Sequence, residues 1–428
     1  MIDELKKVIE SKIGRQIEGR GDCQFLSDKI NEELNEFLSY NTLRRVFGLE
    51  NGCEIKPRIS TLNILAQFVG YKSFLLFKKN ADWSREWSTQ LRVNGWIDRM
   101  DDQEIISELT LARHRNDDFS TSLVSILREL FLLGNIKLID KIFKNPNFKL
   151  DHLTYSELLF LANGIGSILR KIKIDKAELV TLLNNKKFTE YVFLSFVDYS
   201  SLEGYYGQVL VLLNDGSIKI KNDQKLFLKA ISSLKVLLQG RKIDCLNYEL
   251  IKKETLHSIL VSRLASIQIA FHIQNSESYD YILYDIHDRI TKLKFNQVDY
   301  LYELQTISLL TKDFSLMRWI CSTGNIQIEE EYHVSHKQYF FIVKLLFAIY
   351  EKRFKEAHTI LSKLDERKWI LSYYQFFQVF HFISIYHISK NFNRRKMILK
   401  SYNALCASLK YSLFNENFLL HYFGKESN

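Results

Sequence analysis

Two prolines, Pro57 and Pro146, are all that 428 residues contain. A chain so poor in the residue that breaks helices and punctuates loops reads as mostly helical. Cysteine is sparse as well. Cys23, Cys53, Cys245, Cys321 and Cys406 are an odd number, far apart, with no C-x-x-C pair, which argues against a disulfide framework or a cysteine zinc site. No uninterrupted run reaches the roughly 18 to 20 apolar residues needed to span a bilayer. The most aromatic stretch, Tyr373 to Ile388, is broken by Gln375, Gln378, His381 and Ser384, so no transmembrane helix is expected. The opening MIDELKKVIESKIG alternates charged and apolar residues at helical spacing instead of forming a signal-peptide core, and a cytoplasmic protein is expected. Phosphate-binding G-x-x-x-x-G-K-[ST], G-x-G-x-x-G after a strand, and H-E-x-x-H are all missing. No cofactor is called for, and the chain does not read as an enzyme.

What remains is an ordinary globular composition, 46 % hydrophobic and 25 % charged. The length exceeds one ordinary core and implies two or three folding units or a repeat array. A formal net charge of +9 fits a polyanion partner, since clustered Lys and Arg gain free energy by releasing counterions from a phosphate backbone. Part of that excess follows a general abundance of Lys, Asn, Ile, Phe and Tyr, the bias of an AT-rich coding sequence, so charge alone decides little.

Apolar residues return at three- and four-residue intervals in Thr121 to Phe143 and in Val334 to Leu364, the mark of amphipathic helices. Four stretches share one plan: LFLLGNIKLIDKIF from Leu130, ISLLTKDFSLMRWI from Ile307, FAIYEKRFKEAHTIL from Phe347 and SIYHISKNFNRRKMIL from Ser384. Each has an apolar helix end, a short polar turn, an aromatic or Ile, and a second amphipathic helix. Stacked helical hairpins of this kind bury a core that none could bury alone. The segment AIYEKRFKEAHTILSKL resembles the second half of a tetratricopeptide repeat, though the period is irregular. The expected fold is therefore all-α, a small N-terminal helical bundle followed by an α-solenoid or tetratricopeptide-like array. The expected domains are residues 1–80, a connecting helical segment 81–116 and a helical-repeat domain 117–428. Trp83, Trp87 and Trp96 cluster in the connecting segment, where packing explains them better than a ligand does. VLVLLNDGSIKIKND (Val209 to Asp223) fits either a β-hairpin around Asn214-Asp215-Gly216 or a helix end followed by a loop.

In the N-terminal region a first helix is expected from Ile2 to about Lys12, with Leu5, Val8 and Ile9 inward. A second begins after Asp22 as N-cap, with Leu26, Ile30 and Leu34 inward. Ser39 caps YNTLRRVFG, whose inner stripe is Leu43, Val46 and Phe47 and whose outward residues are Tyr40, Asn41, Arg44 and Arg45. Ser60 and Ser73 begin two more short helices. A short capped helix bearing Asn and Arg suits a DNA major groove, because those side chains bridge adenine or guanine edges bidentately and helix N-terminal amides meet phosphate. Lys56, Arg58 and Lys72 are candidate phosphate contacts.

The string GDCQFLSDKINEELNEFLSYNTLRRVFGL…KPRISTLNILAQFVGYKSFLLFKK resembles an N-terminal helix-turn-helix-like domain of uncharacterised bacterial proteins. Asp22-Cys23, Ser39, Thr42-Leu43-Arg44-Arg45, Phe47-Gly48 and Gly70-Tyr71 carry the resemblance, which covers under a fifth of the chain. It implies DNA binding, with a tetratricopeptide-like region behind it. This sequence departs from the compact motif in placing Leu43 nine residues after Leu34.

Three other groupings suggest chemistry and have simpler explanations. Arg353 and His358 have the R-x-x-x-x-H spacing of helical ribonucleases, which a repeat turn also explains. His333 and His336 lie beside Glu329 to Glu331 and suit a polar loop as well as a metal. Asp285, His287 and Asp288 read as a solvated helix face. The expectation is a DNA-binding transcriptional regulator acting on double-stranded DNA, whose array dimerises or receives a protein or peptide signal. The alternatives are a protein-interaction scaffold without DNA binding and a ribonuclease using Arg353 and His358.

Overall fold

The computed structural model describes residues 2–50, 57–114, 119–150, 153–216, 218–246, 256–292, 297–323 and 334–424. Among them all regular structure is helical, and no helix is long and apolar enough to cross a membrane. The chain divides into two compact units, Met1–Ile105 and Ile106–Asn428.

The first unit comprises α1 (Ile2–Ile13), α2 (Arg20–Leu34), α3 (Tyr40–Phe47), α4 (Ile59–Phe68) and α5 (Phe74–Arg99). Its core gathers Leu5 and Ile9 of α1, Leu26 and Ile30 of α2, Leu43 and Val46 of α3, and Leu62 and Leu65 of α4. Val8, expected inward, is exposed, because the buried stripe of α1 follows the four-residue step from Leu5 to Ile9. Asp22 is not the N-cap of α2. Gly19 occupies that position, and Asp22, three residues in, accepts hydrogen bonds from the main-chain N–H of Glu18 (3.2 Å) and Gly19 (3.0 Å). Ser60 likewise lies inside α4, which starts behind Arg58 without a side-chain cap. Ser73 does cap α5, its hydroxyl accepting from Leu76 N–H at 3.3 Å, but the short helix expected there is the first part of a helix reaching Arg99. On α5 Trp96 is buried and Trp87 exposed, while Trp83 lies outside the described side chains.

A sixth helix, α6 (Asp102–His114), crosses the division between the units. The second unit continues with α7 (Phe119–Leu132), α8 (Ile136–Lys144), α9 (Tyr155–Leu169), α10 (Lys176–Asn184), the one-turn α11 (Lys186–Phe188) running into a π-turn (Thr189–Phe193), α12 (Tyr205–Asn214) and α13 (Asn222–Leu238). Then come α14 (Ser258–Gln274), α15 (Asp280–Lys292), α16 (Gln297–Thr311), α17 (Phe314–Thr323), α18 (Val334–Tyr350), α19 (Phe354–Leu361), α20 (Tyr374–Ile388), α21 (Phe392–Leu409) and α22 (Glu416–Leu420). The Val209 to Asp223 stretch takes the helical alternative, since α12 ends at Asn214 and Gly216 follows with φ +81°.

All four stretches sharing the hairpin plan are helix-turn-helix pairs, α7–α8, α16–α17, α18–α19 and α20–α21. The pair α14–α15 adds a fifth. The first helices α14, α16, α18 and α20 pack side by side in that order, each with its second helix against it, which is solenoid packing. Their starts recur at intervals of 39, 37 and 40 residues, longer than the 34 of a tetratricopeptide repeat. Being covered on both sides, α14 is buried from Leu260 to Ala270 all the way round.

Four of these turns stop the first helix in one way. A residue in the left-handed region follows the helix, and the next N–H bonds back five residues. The left-handed residue is Gly134 (φ +66°), Ser276 (+57°), Lys312 (+57°) or Lys352 (+58°). The closing bonds are Asn135 N to Leu130 O (2.8 Å), Glu277 N to His272 O (2.9 Å), Asp313 N to Ser308 O (3.2 Å) and Arg353 N to Ala348 O (2.8 Å). A side chain there costs roughly 1–2 kcal/mol, against which glycine's extra unfolded-state freedom costs roughly 0.5–1 kcal/mol. Lys352→Gly, at an exposed position, is therefore expected to raise stability by about 0.5–1 kcal/mol, read as a higher urea midpoint. Lys312→Gly is expected to gain less or to lose, because its ammonium lies 4.3 Å from the centre of the Phe418 ring. Equal gains at both sites would show that this ammonium adds nothing.

The last helices return to the middle of the unit. The Tyr411 hydroxyl accepts from Leu202 N–H (3.0 Å) and donates to Tyr199 O (2.6 Å), Leu413 N–H donates to Leu238 O (3.0 Å), and the Tyr422 hydroxyl donates to Leu309 O (2.9 Å). Near Tyr199, Asp198 is fully buried and accepts from Arg170 (3.0 Å), the Tyr205 hydroxyl (2.9 Å) and Ser200 N–H (3.2 Å). Burial outweighs the Arg170 charge and these bonds, and pushes its carboxyl up to about 6. Between pH 4 and 6 the folded chain thus holds a proton that the unfolded chain has released. Asp198 contributes stability that is fully present below pH 4 and is lost as pH rises through 6. Asp198→Asn is expected to remove about 2–3 kcal/mol of the change in stability between pH 4 and pH 7. Parallel stability curves for the two proteins would sink this assignment.

Candidate nucleic-acid interface

The surface singled out by the sequence is built on α3. Ser39 starts this helix, its hydroxyl accepting from Thr42 N–H at 3.2 Å. Gly48 (φ +74°) stops it, with Leu49 N–H bonding back to Arg44 O at 2.8 Å. Eight residues, about 12 Å, separate these signals. Leu43 and Val46 are buried against the rest of the bundle, each burial contributing roughly 1.5–3 kcal/mol. The five residues between α2 and α3 are held by Ser27, whose hydroxyl donates to Leu38 O at 2.6 Å. The longer turn is thus anchored to α2 at a buried position.

Asn41 and Arg45 are exposed on α3, and Tyr40 and Arg44 are half-buried. Each cation has an internal partner. Arg45 Nε donates to Glu50 at 3.2 Å and Arg44 Nη2 to Leu49 O at 3.5 Å. The Arg45–Glu50 pair is exposed on both sides, and such pairs contribute at most about 1 kcal/mol, so a phosphate or a guanine edge can replace Glu50 at little cost. Sequence reasoning missed Arg20 of α2. Its guanidinium lies 4.6 Å from the centre of the Tyr40 ring and donates to the Tyr40 hydroxyl at 3.1 Å, which adds a cation beside the first residue of α3.

Arg58 and Lys72 are exposed beyond opposite ends of α4, with about 15 Å of helix between them. They do not cluster with each other. Lys56 lies outside the described residues.

Two of the remaining groupings have ion-pair partners of their own. Arg353 precedes α19, pairs with Glu356 and lies 5.5 Å from the Phe347 ring centre. His358 is exposed, and no hydrogen bond joins it to Arg353 among the described residues. Asp285 pairs with Arg289 (2.9 Å) and Asp288 with Lys292 (2.6 Å), the i,i+4 pairs of a solvated face, with His287 exposed. The side chains of His333 and His336 lie outside the described residues. No protein-family model, curated protein or solved structure matches the chain.

Proposed function

We propose that this chain is a cytoplasmic DNA-binding regulator, in which the first unit acts as a helix-turn-helix-like reader of double-stranded DNA and the helical-repeat unit senses a signal or dimerises. What carries the reading is α3, a short helix capped at Ser39 whose buried face is fixed by Leu43 and Val46 while Asn41 and Arg45 are exposed. A helix of this length and chemistry suits a major groove. Arg20, Arg58 and Lys72 provide phosphate contacts, and the net charge of +9 favours a polyanion. The resemblance of residues 21–79 to bacterial helix-turn-helix-like domains supports the same reading.

A second reading, protein docking without DNA, draws on Phe37, Ile59 and Leu75, which are 72 %, 64 % and 62 % exposed on the first unit. Selection of the purified protein against a randomised duplex pool at two salt concentrations separates the two. Enrichment of a defined motif supports DNA readout. Binding that is absent, or that enriches nothing, overturns it in favour of docking.

A further inference from the structure

We infer that the outward side of α21 binds single-stranded nucleic acid, with its cations on phosphates and Phe392 stacked on a base. The chain has no acidic residue between Glu366 and Glu416, and Lys390, Arg394, Arg395, Lys396 and Lys400 fall close together inside that stretch. Arg395 turns back to the protein, donating to Ser389 O at 2.7 Å and lying 5.4 Å from the centre of the Tyr386 ring. The other four are exposed. The carboxylates nearest along the chain are engaged elsewhere, Asp365 with Arg367, Glu366 with His381 and Glu416 with Asn403. No ion pair holds the four exposed cations among the described residues.

The start of α21 runs against its own electrostatics. Asn391 caps it, accepting from Arg394 N–H at 3.0 Å, and the first turn that follows has Arg394 and Arg395 but no carboxylate. A helix N-terminus favours negative charge, and like charges one turn apart, as Lys396 and Lys400 are, repel. Local rules of this kind are broken at functional sites, where a partner supplies the missing charge. Among the cations stand Phe392 and Met397, 78 % and 71 % exposed. Five residues apart, they lie about 140° apart around the helix, too far round for the single apolar stripe that sinks into a lipid surface. Phe392, Lys396 and Lys400 instead follow one side of α21 over about 12 Å. That row matches a single strand, whose bases stack on an exposed ring while its phosphates run past lysines. A duplex keeps its bases paired and stacked, which leaves none free for Phe392.

Binding of the full-length protein to labelled oligothymidylate, followed by fluorescence anisotropy across a salt series, tests this surface, and oligouridylate run beside it distinguishes RNA from DNA. Oligothymidylate forms no duplex, so failure here leaves the reading of α3 as it stands. Lys396→Ala/Lys400→Ala is expected to weaken binding by about tenfold or more and to lower the salt slope by about 1.4, or about 0.7 for each phosphate. Phe392→Ala should weaken binding about fivefold to tenfold with the slope unchanged, since stacking releases no counterion. Arg394→Glu gives α21 the acidic first turn it lacks, so the urea midpoint should rise while binding falls. Absence of binding to both oligonucleotides, affinity and slope unchanged by the α21 substitutions, a lower urea midpoint for Arg394→Glu, or equally tight binding of polyglutamate or of phosphatidylserine vesicles overturns the inference.

Discussion

Arg263→Leu is expected to lower the stability of the helical-repeat unit by roughly 3–5 kcal/mol. The substitution leaves Glu303, 2 % exposed, as a carboxylate with Tyr199 as its hydrogen-bonding partner inside a layer of packed helices. The pair itself is a weak source of stability, because desolvating both charges offsets most of their attraction. The double variant Arg263→Leu/Glu303→Leu should therefore recover most of the loss. Chemical denaturation of wild type, both single variants and the double variant closes the cycle. If Arg263→Leu alone costs under about 1 kcal/mol, or the double variant is no better than the single, Glu303 is not depending on Arg263 for its charge.

The second large effect concerns α3. Arg44→Ala/Arg45→Ala is expected to reduce discrimination between the selected duplex and a scrambled one by about tenfold to a hundredfold for each arginine that reads a base edge. Lys72→Ala and Arg58→Ala should act differently, weakening all duplexes to a similar degree and lowering the salt slope by about one unit each. The contrast is informative because all four side chains are cations near one bundle. Should the Arg44/Arg45 variant weaken every sequence equally, with a slope smaller by about two, these arginines touch phosphate and base readout by α3 is lost as an explanation.

Where the sequence was informative, a local signal acted alone. Ser39 and Gly48 bracket α3 with a cap and a stop within one short segment, and both act as expected. The hairpin turns at Leu130, Ile307, Phe347 and Ser384 were visible because helix periodicity pauses at a polar turn. Signals that act alike from two positions do not reveal which one the residue takes. An aspartate strengthens a helix start from the N-cap or from the third residue, and Asp22 takes the second place while Gly19 takes the first. Ser60 looked like a cap, yet the main chain turns into α4 one residue earlier, at Ile59. Contacts set by packing between helices left no local trace. Arg20 meets Tyr40 across 20 residues and Arg263 meets Glu303 across 40. For Arg263 there was one hint, an arginine within the apolar run SILVSRLASIQIAF of α14. A charge amid such a run needs a buried partner, but only the solenoid packing says which.

The Tyr411 hydroxyl, bonded to the main chain at Tyr199 and Leu202, also fixes when this protein can finish folding as it is made. Tyr199 and Tyr411 are 212 residues apart, which a ribosome adding about 5–20 residues per second takes some 10 to 40 s to cover. During that interval α13 and then α16 emerge ahead of the last helices, which bond to them at Leu238 and Leu309. The nascent chain thus offers a chaperone a long window, and slow codons between these two tyrosines would lengthen it.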